Sequence, residues 1–142
     1  MSGSKWIAAG ILFILFSLLF HFTDHEYHLS SKWYLNRCLK DKNLEEVRDQ
    51  GRRMLSEIRE SGLIDDNGHY SISDVSQSTL VPPSIKELSP KSIHVMPENI
   101  LIIRLPVPRR VNLLVYQEGT PESGTSLLVD GLWYWNASRP LR

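Results

Sequence analysis

The chain has a single cysteine, Cys38, in 142 residues, so no disulfide can close within it, and one thiol does not mark an oxidising or a reducing compartment. It also lacks net charge: 16 Lys and Arg stand against 16 Asp and Glu. Without Lys5, which precedes the one long apolar run, the remainder carries 15 basic against 16 acidic side chains. That balance leaves no broad basic footprint of the kind nucleic acid requires. No internal repeat is visible. Ser, His and Asp are all present, but there is no nucleophile elbow and no ordered triad, so the expectation is a protein that is not an enzyme and carries no cofactor.

One absence is local. Residues 6–22 (WIAAGILFILFSLLFHF) contain no Asp, Glu, Lys or Arg, and eleven of them are Ile, Leu or Phe. On an insertion scale those eleven contribute about −3 to −6 kcal/mol. The span is roughly 25 Å as a helix, a little short of the ~30 Å hydrocarbon core. Trp6 at one end, and His21 with Thr23 at the other, can lie at headgroup level and make up the difference, and local thinning of the bilayer would do the same. A cleaved signal peptide needs small residues just after the apolar run, and HFTDHEYH offers bulky and charged ones. A lipoprotein would need its cysteine there, and Cys38 lies far beyond. The segment therefore reads as a retained signal-anchor helix over 6–23, with a short tail at 1–5.

The flanking charges divide on orientation. Lys5 and the α-amine precede the anchor, and Asp24 and Glu26 follow it; Lys32, Arg37, Lys40 and Lys42 come later. The nearest flanks place the N-terminus inside and the domain outside, whereas a wider window reverses this. Weighting the nearest charges gives a single-pass protein of the cell (plasma or inner) membrane with an extracytoplasmic C-terminal domain.

Beyond the anchor, residues 24–42 read as a juxtamembrane helical segment. Ser30 can cap a short helix through Trp33, Tyr34, Leu35, Cys38 and Leu39, whose aromatic rings suit an interfacial collar. A small α+β domain follows over 43–135. Asn43 with Glu46 resembles a capping box, and Leu44, Val47, Gly51, Met54, Leu55 and Ile58 recur at helical spacing until Gly62. Asp49–Arg53 and Arg53–Glu57 predict salt bridges on the solvated face. A turn at 65–68 leads to a polar stretch, 71–79, read as a loop or weak edge strand. Pro82–Pro83 marks a break before a single helical turn over 84–88.

The rest predicts a four- to five-stranded antiparallel β-meander, with strands pairing in sequence order. The strands are expected at 92–96, 100–105, 111–117, 126–129 and 132–135. ILIIRL at 100–105 is apolar on both faces, as in a central covered strand. Asp130–Gly131 is a type I′ hairpin signal. Residues 136–142 form a tail. The order of membrane helix, helical stalk and antiparallel meander resembles the layout of type IV pilins and pseudopilins. The resemblance is of layout alone, because no prepilin pattern follows Gly3 or Gly10 and no glutamate lies in the apolar segment.

Four features can carry chemistry. His21, His25 and His28 fall at i, i+4 and i+7, a spacing that can chelate a divalent metal, with Asp24 beside them; interfacial histidines are the plainer explanation. LIDDNGHYSISD at 63–74 puts Asp65, Asn67, Gly68, Ser71 and Asp74 where an EF-hand loop has ligands, but Leu63 occupies its first ligand position and Asp74 replaces the bidentate Glu, so a plain Asn-Gly turn is favoured. Trp133, Tyr134 and Trp135 place two indoles on one strand face and a phenol on the other, a surface for a sugar or a partner unless they are core. Asn136–Ala137–Ser138 is a glycosylation sequon, meaningful only in a eukaryotic lumen.

Two functions are expected from this. The first is a structural or interaction module of a membrane complex, contacting the bilayer and a protein partner or a second copy of itself. The alternative is a membrane-tethered ligand-binding or sensing domain, for a sugar or a metal, using the Trp133–Trp135 strip or the histidines.

Overall fold

A computed structural model describes residues 11–17, 32–107, 111–121 and 124–136. Residues 11–17 are helical, as the apolar run predicts. The rest of the expected anchor, residues 6–10 and 18–23, falls outside the described residues. Among those described, no helix is long and apolar enough to cross a membrane.

Helix α1 covers residues 32–39 and is followed at once by α2, Leu44–Glu60. Asn43 caps α2 as expected, its side chain accepting from the Glu46 backbone N–H at 3.2 Å. Only half of the capping box forms, because the Glu46 carboxylate accepts from Gln50 instead, at 2.8 Å. Val47, Gly51, Met54, Leu55 and Ile58 are the buried residues of α2, the same stripe that the 3.6 periodicity marks out. A short helix, α3 (Pro83–Lys86), begins at the proline that pre-sets its first φ.

The sheet has six antiparallel strands: β1 (Tyr70–Ile72), β2 (Ser92–Met96), β3 (Ile100–Arg104), β4 (Val111–Tyr116), β5 (Thr125–Val129) and β6 (Leu132–Asn136). The polar 71–79 stretch thus supplies two of the three residues of an edge strand that begins at Tyr70, making one strand more than the four or five expected. The pairing order is β1-β2-β3-β4-β6-β5. The expected sequence-order meander holds through β4 and then fails: β6 is inserted beside β4, and β5 is displaced to the edge. Register pairs Val111 with Asn136 and Thr125 with Trp135, so β4 and β5 run in the same direction with β6 between them.

One face of the sheet packs on the helices. Ile72, Ile93, Val95, Leu101, Ile103, Val111, Leu113, Val115 and Leu132 join the α2 stripe in one core, with Ile85 and Leu88. Leu35 of α1 also enters this core at 2% exposure, with Cys38 and Leu39 packed partly against it. Gly51 is what lets α2 approach so closely: a Cβ there would lie 3.0 Å and 3.2 Å from the two methyls of Val115.

The expected ion pairs along α2 do not form. Among the described residues the ion pairs are Arg48–Asp49 at 2.7 Å and Lys42–Glu87 at 3.2 Å. Three arginines of α2 reach past the helix surface to main-chain carbonyls at the sheet's end. Arg48 donates to Asp130 at 3.2 Å, Arg52 to Tyr116 at 2.9 Å, and Arg59 to Met96 at 2.7 Å and Pro97 at 3.2 Å. A planar guanidinium with five N–H donors on a long stem suits carbonyls at strand ends and turns, which lie beyond the helix's own surface.

The Asp130–Gly131 hairpin lies where expected, but its turn is not type I′. That type needs positive φ at both central residues, and here Gly131 has it (φ 80) while Asp130 does not. The ladder compensates by slipping one residue between Leu127 and Val129, so Leu128 is the extra residue of a β-bulge. A side chain at position 131 would also run into the Arg52 guanidinium.

Candidate interaction surface

Alternation along each strand puts a second set of side chains on the sheet face away from the helices. The registers align them into rows: Ser71, His94, Ile102, Leu114, Trp133 and Leu127 across the middle, with Ser92, Arg104, Asn112, Trp135 and Thr125 alongside. Ile100 with its neighbours Met96 and Tyr116 forms a third row. The double-sided apolar character of ILIIRL is therefore explained by position. Leu101 and Ile103 face α2, while Ile100 and Ile102 face away and are half-buried.

Leu114 is only 1% exposed yet lies outside the helix-side core, enclosed on this second face beside Ile102 and Trp133. Leu127, the end of the same row, is 55% exposed. The indole N–H of Trp133 is buried and has no hydrogen-bond partner among the described residues, at a cost of about 1–3 kcal/mol for such a donor. The three aromatics of β6 divide as their alternation demands. Tyr134 packs against the helix-side core, and Trp133 and Trp135 share the outer face, both half-buried.

A polar cluster borders the apolar rows. The His94 ring is held between two hydroxyls, with Ser71 Oγ 2.8 Å from Nδ1 and Ser92 Oγ 2.9 Å from Nε2. Burial, and then the cation of Arg104, hold this imidazole below its ordinary value and keep it neutral. One ring nitrogen therefore donates to one serine and the other accepts from the other. Both nitrogens are satisfied by serines, and among the described residues no carboxylate orients the ring as a triad would require. The sequence carried one overlooked signal for this cluster, Ser92 and His94 at i and i+2 on one strand face. The contribution of Ser71 depends on a register that only the folded sheet reveals.

The other sequence candidates lie apart from this face. His21, His25, His28 and Asp24 fall outside the described residues, as do Ala137 and Ser138 of the sequon. Among the described residues no three His, Cys, Asp or Glu side chains gather closely enough to hold a metal ion. Asp65 and Asp74, the two carboxylates at the loop's ligand positions, are used by local turns. Asp65 accepts from the backbone N–H groups of Asn67 and His69 at 2.9 and 2.8 Å, and Asp74 from the Ser76 hydroxyl at 2.9 Å. Cys38 is half-buried, its thiol pushed up by burial against the weaker pull of Lys42, 4.0 Å from the Leu88 carbonyl. A shallow groove of about 310 Å³ between α2 and residues 79–83 is lined by Gln50, Arg53, Met54, Glu57, Pro82 and Pro83.

The chain matches no protein-family model, no curated protein and no solved structure.

Proposed function

We propose that this protein is a single-pass, membrane-anchored interaction module whose outer sheet face docks on an apolar surface of a protein partner in a membrane complex. The observation that carries this reading is the one-sidedness of the domain. Every described helix of the domain joins the Leu101–Val115 side, while on the other, around the enclosed Leu114, Ile102 and Trp133 stay half-buried and Leu127 is exposed. A sheet with apolar rows on both faces buries both when it is complete. The partner is a different protein or a second copy of the chain.

The anchor has its own support. Residues 11–16, all Ile, Leu or Phe, are helical and stand 55–76% exposed. Each such side chain left in water forgoes about 1.5–3 kcal/mol of burial. A helix that is apolar all round belongs in protein core or in lipid, and the core of this domain is filled from elsewhere. The charges nearest the anchor favour an extracytoplasmic domain.

A photo-crosslinking residue in place of Leu127, in the full chain and in native membranes, tests the docking. A discrete heavier adduct, absent when the probe is moved to Asp66 on the opposite turn, is the expected result. Recovery of monomer alone from both would overturn it.

A second reading, a sugar-binding face, is favoured by one arrangement: two indoles on one surface with Asn112 directly across from Trp135 and Arg104 next in the row. Tryptophan fluorescence titrated with cell-wall sugars tests it, and zinc in the same titration tests the histidine cluster. A flat response to all removes it.

A further inference from the structure

Helix α1 has two faces with opposite assignments. At 100° per residue, Leu35, Cys38 and Leu39 fall on one side and enter or pack on the core. Trp33, Arg37 and Lys40, at i, i+4 and i+7, fall opposite, and all three are exposed. Trp33 is 54% exposed although it is a large aromatic in a domain that has core to offer. Its ring is held by neighbours on the same helix: the Arg37 guanidinium lies 5.3 Å from its centroid, and Tyr34 meets it edge-on at 4.9 Å. An amphipathic ring beside cations is the combination enriched where a membrane meets water.

We propose that this face of α1 lies in the headgroup layer of an anionic bilayer and holds the sheet domain against the membrane. The inference rests on the membrane-anchored reading above. Charge decides the occupant. From Leu29 to Lys40 the sequence (LSSKWYLNRCLK) has three cations, Lys32, Arg37 and Lys40, and no acid. A chain that is neutral as a whole has concentrated one sign beside an exposed indole, which complements anionic lipid. Distance allows it: Trp33 follows the apolar run by eleven residues, which reach at most roughly 35–40 Å when fully extended. Leu35 on the opposite side makes the contact rigid with the domain, so docking α1 docks the whole sheet.

The experiment uses the full chain with Cys38→Ser and a spin label at Asn36→Cys, beside the Trp33–Arg37–Lys40 stripe, and in a second preparation at Asp66→Cys on the remote turn. Both are reconstituted into phosphatidylcholine vesicles with and without phosphatidylglycerol. Collision of the label at 36 with a water-soluble relaxation agent should fall when the anionic lipid is present, by the amount that a docked-to-free ratio raised at least about fivefold gives, the effect expected of one cation near such a surface. The label at 66 should not change. Arg37→Glu with Lys40→Glu should restore collision at 36, and Arg37→Lys should not. If the chain floats with the vesicles while the label at 36 stays as accessible as that at 66, the docking of α1 is overturned and the anchor stands. If the chain does not float with vesicles at all, both fall.

Discussion

At the scale of single residues, His94 is the most informative titrating group. Burial first, and Arg104 second, lower its pKa in the folded chain relative to the ordinary value of 6.5. Above that value the ring is neutral whether folded or not, and its environment costs nothing. As pH falls, the unfolded chain takes up the proton first, so stability is lost progressively until the depressed folded pKa is passed. Thermal unfolding should therefore move to lower temperature between about pH 7.5 and about pH 5.5. His94→Gln should flatten that slope, and an equal slope in the variant would show that the serine-bound ring is not its source. Arg59 makes a prediction of a different kind. Its Nη2 holds two carbonyls of the β2–β3 turn while its Nε is buried without a partner, so the contact is already a compromise. Arg59→Met removes the donor from both and should cost about 1–3 kcal/mol in denaturant unfolding. Arg59→Lys should restore part of the loss, because both bonds come from one nitrogen, Nη2, and an ammonium also offers several N–H donors from a single atom; a loss equal to that of Arg59→Met would show that the lysine stem does not reach.

At the scale of elements, the contact between α2 and the sheet is set by the one position on that helix without a side chain. Filling it should be felt at once. Gly51→Leu pushes four carbons into Val115, a β-branched residue with no exposed surface into which to rotate, and should destabilise by about 3 kcal/mol or more. The β5–β6 turn is constrained twice over. Gly131→Ala meets a positive φ costing about 1–2 kcal/mol and must also displace Arg52. Denaturant midpoints of the two variants check both figures. These elements also mark how far the sequence could be read. The Asn43 cap, the α2 stripe, the bounds of β2 and the place of the last hairpin were all legible, because each depends on residues a few positions apart. The turn type was not, since the dipeptide Asp-Gly serves both an I′ turn and a bulged one, and the ladder decides between them. The strand order was not either. Whether β4 takes β5 or β6 as its neighbour depends on which buries more apolar surface, and Trp133 with Leu132 outweighs the polar Thr125–Ser126 start of β5. The expected i,i+4 pairs of Arg53 do not form, and the contacts of Arg48, Arg52 and Arg59 were not legible, because long side chains can reach carbonyls that no helical spacing predicts. Of the outer face, the two tryptophans were visible in advance; the serine-bound histidine was not.

At the scale of the whole molecule, α1 is part of what holds the domain together, through Leu35 in its core. Removing residues 1–28 leaves Leu35 in place and should shift the melting temperature of the domain by no more than about 3 °C. Removing residues 1–40 also takes Leu35, which is 2% exposed, together with its packing neighbours Cys38 and Leu39. That should cost about 2–5 kcal/mol, roughly 10 °C or more for a domain of this size. Calorimetry on the two truncations distinguishes them. The inserted strand has a consequence in time as well as in space. During synthesis β5 leaves the ribosome before β6, yet among the described residues β6 is the strand it pairs with. Until β6 arrives, β4 is an open edge with buried-type residues on both faces, and β5 lacks the strand that joins it to the sheet. The sheet therefore closes from its middle outward in one late event. A nascent chain stalled behind a C-terminal linker that fills the exit tunnel should be protease-sensitive when the linker follows Asp130 and resistant when it follows Asn136.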